Sequence, residues 1–208
     1  MREGVLLPSA QGFRKVGKTI IVCENIKKSF GENIVIDGFT HTFAEGSRCC
    51  IMGPSGCGKT TLARILLGTL PPDSGTVTGA PAKKAAVFQE DRLFERFTAY
   101  GNIAAVCKSK SKTEILSILA ALGLDKSAAL CPVKELSGGM RRRVAIARAL
   151  AVGAPLVIMD EPFSGLDTEN HSAAAGVILE YTAGSTLIVV THDTGDAELL
   201  GAETVYIG

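Results

Sequence analysis

What the chain lacks narrows its class first. No apolar stretch among its 208 residues approaches the ~20 residues of a membrane-crossing helix, and the longest, Ala149 to Met159, is interrupted by Gly153 and Pro155. Arg2 and Glu3 open the chain, yet no apolar segment and cleavage site follow. The expectation is a protein without a signal peptide, placed in the cytosol. Charge of one sign is not in excess: 22 Lys and Arg face 21 Asp and Glu, a formal net charge of +1. That balance removes the electrostatic case for a nucleic-acid partner or an anionic membrane surface. The short basic clusters, Arg14-Lys15 with Lys18, Lys108 to Lys112 and Arg141-Arg142-Arg143, read as solvated faces. No C-x-x-C pair occurs among Cys23, Cys49, Cys50, Cys57, Cys107 and Cys131, and their spacing matches no zinc pattern. Free thiols in a reducing compartment are expected. Internal repeats and low-complexity segments are also missing.

What remains is a chain that is 46% hydrophobic, enough to bury a core without covalent staples as one domain or as one domain with a small lobe. Residues 1–18 mix Gly, Pro, Ser and basic residues without periodicity and read as a tail, which leaves 19–208 as a single domain. Strands are expected at Thr19 to Cys23, Ser47 to Met52, Leu156 to Met159, Thr186 to Val190 and Glu203 to Ile207. Cys49 and Cys50, as neighbours in a strand, point to opposite faces. Helical spacing covers Thr61 to Leu67 with Gly68 as its stop, Lys112 to Leu122 ended by Gly123, and Met140 to Ala151. The last places Met140, Val144, Ala147 and Leu150 on one stripe, with four arginines off it. Short, nearly all-apolar strands alternating with helices predict an α/β fold whose mostly parallel sheet is covered on both faces.

Gly53-Pro54-Ser55-Gly56-Cys57-Gly58-Lys59-Thr60 fits G-x-x-x-x-G-K-[ST] at every fixed position, between an expected strand and an expected helix that continues through Thr61. Small residues let the backbone curl until successive N–H groups face one centre, and the helix N-terminus adds partial positive charge. Lys59 would reach the β- and γ-phosphates of a nucleotide, and the Thr60 hydroxyl would coordinate Mg²⁺. The loop alone specifies only a nucleoside triphosphate. The run Leu156-Val157-Ile158-Met159 then leads into Asp160 and Glu161. A buried strand delivers the Asp160 carboxylate to the sheet edge where open α/β sheets bind ligands. There Asp160 would hold Mg²⁺ through its water shell, and Glu161 would polarise an attacking water.

Leu136-Ser137-Gly138-Gly139-Met140 narrows the class further. With the two motifs above it resembles the signature sequence of the ATP-binding-cassette (ABC) ATPases, with Met140 where Gln is usual. The resemblance runs from about Thr19 to Gly208. It implies a P-loop fold of the ABC type, with an N-terminal antiparallel β part and a small helical lobe at about 92–136. It also implies a site split between two chains arranged head to tail: Ser137, Gly138 and Gly139 of one chain bind the γ-phosphate of ATP held by the other. Gln89 looks like the glutamine that contacts Mg²⁺ and the water. Asp167, in Ser164-Gly165-Leu166-Asp167, looks like the loop that crosses the dimer interface. His192 looks like the switch histidine on the γ-phosphate, and Phe30 occupies the place of the aromatic that stacks on adenine. Family members usually continue with further helices beyond the last strand, so a regulatory C-terminal domain is expected to be missing.

One cassette with no fused membrane domain resembles a bacterial or archaeal importer subunit. Such a subunit is an ATPase with ATP and Mg²⁺ as cofactors, held at the inner face of the cell membrane by integral permease subunits, in some systems with a substrate-binding protein. The stretch Val87 to Ile103 is similar to the nitrate, sulfonate and taurine importers. Two other classes stay open: a soluble ABC ATPase, for example of iron–sulfur assembly, and a P-loop kinase acting on a small molecule, which has no need for Leu136 to Met140.

Overall fold

The computed structural model describes residues 20–208; the stretch 1–19, with the expected tail, the Arg14-Lys15-Lys18 cluster and Thr19, lies outside the described residues. Five short strands form a wholly parallel sheet: β3 (Arg48–Met52), β5 (Lys84–Val87), β6 (Leu156–Asp160), β7 (Thr186–Val190) and β8 (Glu203–Tyr206). Their spatial order is β5-β6-β7-β3-β8. The first strands in sequence build a separate antiparallel sheet of order β2-β1-β4, from β1 (Ile21–Phe30), β2 (Asn33–Phe43) and β4 (Ser74–Thr78). Glycine at position 31, with φ of 60°, makes the tight β1–β2 turn at which Phe30 pairs with Asn33.

The central strands β3, β6 and β7 read as nearly continuous apolar runs because water reaches neither face of them. Cys49, Ile51, Leu156, Ile158, Ile188 and Val190 pack on one side, against α1 (Lys59–Leu67) and the antiparallel sheet residues Ile21, Cys23, Ile36 and Phe43. Cys50, Met52, Val157, Met159, Leu187 and Val189 pack on the other. The expected opposition of Cys49 and Cys50 is therefore present. All six cysteines are free thiols, and burial pushes Cys23 up to about 11 and Cys49 and Cys50 up to about 12.

The second face is covered by the remaining helices: α2 (Ala99–Ala104), α3 (Lys112–Ala121), α4 (Lys126–Leu130), α5 (Gly138–Ala151), α6 (Thr168–Tyr181) and α7 (Thr194–Leu200). Three of the helix starts show how the sequence places them. Ser111 and Glu114 form a reciprocal capping box at α3, Ser137 caps α5, and Asp167 caps α6. Gly68 ends α1 in the left-handed conformation, as its sequence position predicted.

Two expectations need correction. The signature helix starts at Gly138, two residues earlier than its apolar stripe suggested, and is buried around most of its circumference, including Ala145, Ile146, Ala149 and Ala151. It lies between the sheet and the short helices α2 and α3, so a single stripe cannot describe it. The Arg141-Arg142-Arg143 cluster is not a solvated face. Arg142 is 4% exposed, and Arg143 donates to the carbonyls of Leu122 and Gly123 at the C-terminus of α3, at 2.9 and 3.1 Å. Those carbonyls have no partner within the helix, and a guanidinium supplies enough donors for both.

Candidate functional site

The strand order explains why residues far apart in sequence meet. β5, β6, β7 and β3 are neighbours and run in one direction. The segments leaving their C-terminal ends therefore share one edge: Gln89, then Asp160-Glu161, then His192, then the loop from Gly53 to Thr60. An open cleft of about 360 Å³ lies there, within the range of small-molecule sites. Ser55, Gly56, Gly58, Lys59, Thr60 and Thr61 line it together with Gln89, Asp160, Glu161, Phe30 and Val35.

The phosphate loop has the backbone its glycines predict. Gly58 precedes α1 at φ 99°, and a side chain there would sit 2.7 Å from the Val35 carbonyl oxygen. At Gly53 an added carbon would lie 2.1 Å from the Ile207 carbonyl oxygen. Both contacts are with backbone, so only glycine fits. Pro54 and Cys57 complete the curl through a 3.3 Å bond from the Cys57 N–H to the Pro54 carbonyl. Lys59 Nζ donates to the carbonyls of Gly53 and Pro54, at 2.7 and 2.8 Å. Its ammonium is thus held over the loop by the loop itself.

Asp160 ends β6 and is 4% exposed; Thr60 Oγ1 donates to its Oδ2 at 2.7 Å. Burial raises the Asp160 carboxyl above the ordinary carboxylate range, against the opposing pull of the Thr60 hydrogen bond and of Arg142, Arg64 and Lys59. A poorly solvated carboxylate beside a hydroxyl, with the Gln89 amide on the same cleft, is an all-oxygen donor set suited to a small hard cation such as Mg²⁺. The three residues fit the ion the sequence implied.

Glu161 is turned out of the strand pattern. Successive strand residues face opposite ways, yet Asp160 and Glu161 both line the cleft. The cause is a left-handed backbone at Glu161, φ 49°, a conformation costing a non-glycine residue ~1–2 kcal/mol. The surroundings hold it there: its N–H donates to Val190 at 2.8 Å, and its carbonyl accepts from Ser164 N–H at 3.1 Å and from Arg142 at 2.9 Å. Strain of this kind gathers at functional positions. Glu161 Oε1 meets His192 Nδ1 at 2.8 Å. That hydrogen bond, and then the carboxylate's charge, raises the His192 pKa above its ordinary value.

Arg142 is the residue that motif reading missed. From inside α5 its guanidinium donates to the Phe88 carbonyl at 2.7 Å, to Asp91 Oδ1 at 3.1 Å, to the Gln89 carbonyl at 3.1 Å and to the Glu161 carbonyl at 2.9 Å. The Gln89 segment leaves the sheet edge without ladder partners, and one buried cation serves its carbonyls while bracing Glu161. A triple-arginine stretch on an amphipathic helix carries no signal for this, because the partners come from β5 and β6.

Other expected site residues stand apart from the cleft. Ser137 and Gly138 are exposed, and the Ser137 hydroxyl caps α5 by accepting from Met140 N–H at 3.3 Å; Gly139 lies beside the Gly165 carbonyl. Asp167 accepts from the Asn170 backbone and side chain at 2.9 and 2.7 Å, bonds that lower its pKa. None of these four lines the cleft built by the same chain's phosphate loop.

Comparison with known proteins shows the family. The ABC transporter family model matches residues 36–164. The Nod factor export ATP-binding protein I of Rhizobium sp. (strain N33) is 38% identical, over 89% of this chain and 66% of its own length. The Fe(3+) ions import ATP-binding protein FbpC 1 of Rhodococcus jostii (strain RHA1) is 36% identical, over 84% of this chain and 55% of its own. The chain thus spans about half to two thirds of the length of these relatives. Among solved structures, the dimeric structure of MJ0796, a bacterial ABC transporter cassette, superposes with a TM-score of 0.80 at 29% identity, covering 90% of this chain and 94% of that one. With the family model matching more than half of this chain and the phosphate loop, Asp160 and Glu161 lining one cleft, this chain belongs to the ABC transporter family and carries its ATP-binding domain.

Proposed function

We propose that this chain binds and hydrolyses ATP and so energises a transporter of the importer type, whose membrane-crossing part is supplied by integral permease subunits. One observation carries the reading: the phosphate loop, the Asp160–Glu161 pair, Gln89 and Phe30 line one cleft. A kinase acting on small molecules would use the loop but gives no reason for Ser137-Gly138-Gly139 at the head of α5. The relatives named for import and for export share the cassette, so the cargo is set by other chains. No helix among the described residues is long and apolar enough to cross a membrane, in keeping with attachment through a permease.

In this reading the phosphates replace the Gly53 and Pro54 carbonyls as partners of Lys59, whose ammonium swings from the loop to the β- and γ-oxygens. The loop N–H groups and the start of α1 supply further partial positive charge without reorganising. Thr60, Asp160 through a water shell, and Gln89 would hold Mg²⁺, which would supply positive charge against the charge that develops on the phosphoryl oxygens. Glu161 accepts hydrogen bonding from the attacking water and polarises it. In this reading His192, joined to Glu161 through Nδ1, meets the γ-phosphate. Its raised pKa keeps the imidazole protonated to higher pH than usual, and the positive charge is lost as pH rises through that value.

The test is to purify the tagged chain from detergent-solubilised membranes of its native host. An integral membrane protein with several spans should co-purify and raise ATP turnover when reconstituted in vesicles. Recovery with a soluble scaffold instead would replace the transport reading by that of a soluble ABC ATPase, such as one of iron–sulfur assembly.

Phe30 gives a second, narrower test. Its ring is 52% exposed at the β1–β2 turn, with the Lys28 ammonium 5.6 Å from its centre. An aromatic left in water at the mouth of a phosphate cleft is suited to stacking on adenine, worth ~1–3 kcal/mol per base. Phe30→Ala is expected to weaken ATP binding about tenfold by calorimetry; an unchanged dissociation constant would return Phe30 to ordinary surface.

A further inference from the structure

Away from the cleft, toward the opposite end of β3, side chains from three strands converge. Cys49 on β3 and Glu203 on β8 are register partners in the parallel ladder, so their side chains leave the same face of the sheet. His41 approaches that face from β2 of the antiparallel sheet. The His41 nitrogen, the Cys49 sulfur and a Glu203 carboxylate oxygen all lie within 4.8 Å of one another. His41 Nε2 is 3.9 Å from Glu203 Oε1. Packing alone leaves one fact unexplained: His41 Nε2 is buried and has no hydrogen-bond partner, an arrangement that costs free energy.

We infer that His41, Cys49 and Glu203 form a binding site for one divalent transition-metal ion of the zinc class, clamping the antiparallel sheet to the parallel one. Imidazole nitrogen, thiolate sulfur and carboxylate oxygen are the donors zinc takes. The set differs in kind from the oxygens at Thr60, Asp160 and Gln89, so the two sites sort hard from borderline-soft cations. Charge balances as well. A thiolate and a carboxylate offset the two positive charges of the ion with the imidazole neutral, so little net charge is buried. Cys49 gives up its thiol proton to solvent on binding. Bonds of ~2.0–2.3 Å put tetrahedral ligands ~3.3–3.8 Å apart, so the three donors need to draw in by about an ångström. Glu203 can supply that movement: its side chain is 55% exposed and stands at the start of its strand. The same exposure is the ion's entry path and leaves the fourth coordination position to water.

The measurement uses the whole chain, reduced, stripped with a chelator and free of nucleotide, in an Asp160→Asn background that removes the cleft as a competitor. Titration with Co²⁺ is expected to show one ion per chain and a thiolate-to-cobalt charge-transfer absorption that Zn²⁺ displaces. Cys49→Ala should abolish that absorption, and Cys131→Ser should leave it. His41→Gln and Glu203→Gln should each weaken Zn²⁺ binding at least ~10-fold, the lower bound seen even for residues that only support a ligand. Absence of the absorption, or its survival in Cys49→Ala, overturns the site. Unchanged affinity in Glu203→Gln does so too, and that exposed variant keeps the test decisive should a change at Cys49 impair folding.

Discussion

Glu161→Gln is expected to bind ATP as the unmodified chain does and to hydrolyse it at least ~10²-fold more slowly, the usual contribution of a positioned base. The backbone explains why a one-atom change should cost so much. Glu161 is held left-handed by the Val190 carbonyl, the Ser164 N–H and Arg142, so its side chain faces the cleft rather than the helices behind β6. The amide of Gln occupies the same space and keeps the backbone arrangement, yet it cannot draw a proton from water. Lys59, Thr60 and the loop N–H groups are untouched, so affinity should hold. Phosphate release by the purified variant, alone and with its permease, reads the effect. Turnover at the unmodified rate would remove Glu161 from the chemistry and leave its strained backbone without a purpose. The same variant should weaken the charged hydrogen bond that raises the His192 pKa, so His192 should titrate at lower pH by NMR.

Loss of nucleotide-dependent dimerisation is expected when Ser137→Arg is added to Glu161→Gln. Ser137 and Gly138 are exposed at the head of α5 and line no part of their own cleft. Yet a helix start with a hydroxyl and unobstructed N–H groups is an anion site. A second chain placed head to tail lets each signature meet the phosphate held by the other, through one two-fold axis. ATP then bridges the two copies and favours the dimer by mass action, and cleavage of the γ-phosphate lets them part. Sedimentation of Glu161→Gln with ATP and Mg²⁺ should show a dimer, and the nucleotide-free chain should be largely monomeric. The double variant should remain monomeric while still binding ATP at Lys59, since a bulky cation blocks the interface and not the loop. A double variant that dimerises on ATP sinks the head-to-tail arrangement for this chain.

Much of the candidate site was legible because its chemistry is local. Gly53 to Thr60 is one turn of backbone whose function depends on consecutive residues, so its spacing survives in one dimension. The strand Leu156 to Met159 and the pair after it are equally local. The helix over Thr168 to Tyr181 was not legible: it starts with five polar residues, buries only Ala174, Ala175, Val177 and Ile178 and contains Gly176, so its period has little contrast. The strands β2, β4 and β5 are short, half-exposed or rich in alanine, and they lacked the apolar run that announced β6 and β7.

Spacing along the chain marks the residues that could cradle phosphate or hold a cation, and apolar run length marks β6 and β7 as buried on both faces, since both are properties of neighbours in sequence. The strand order that sets Gln89, Asp160, Glu161 and His192 on one edge, and the left-handed turn that aims Glu161, come from the three-dimensional packing. It alone turned Arg142 from a surface charge into a buried brace, and brought His41, Cys49 and Glu203 from three strands to one face. The physical reason is the same in each case. A buried charge, an unpartnered nitrogen or a shared edge is defined by what lies across space, and the register of a sheet and the packing of a helix against it bring those partners together.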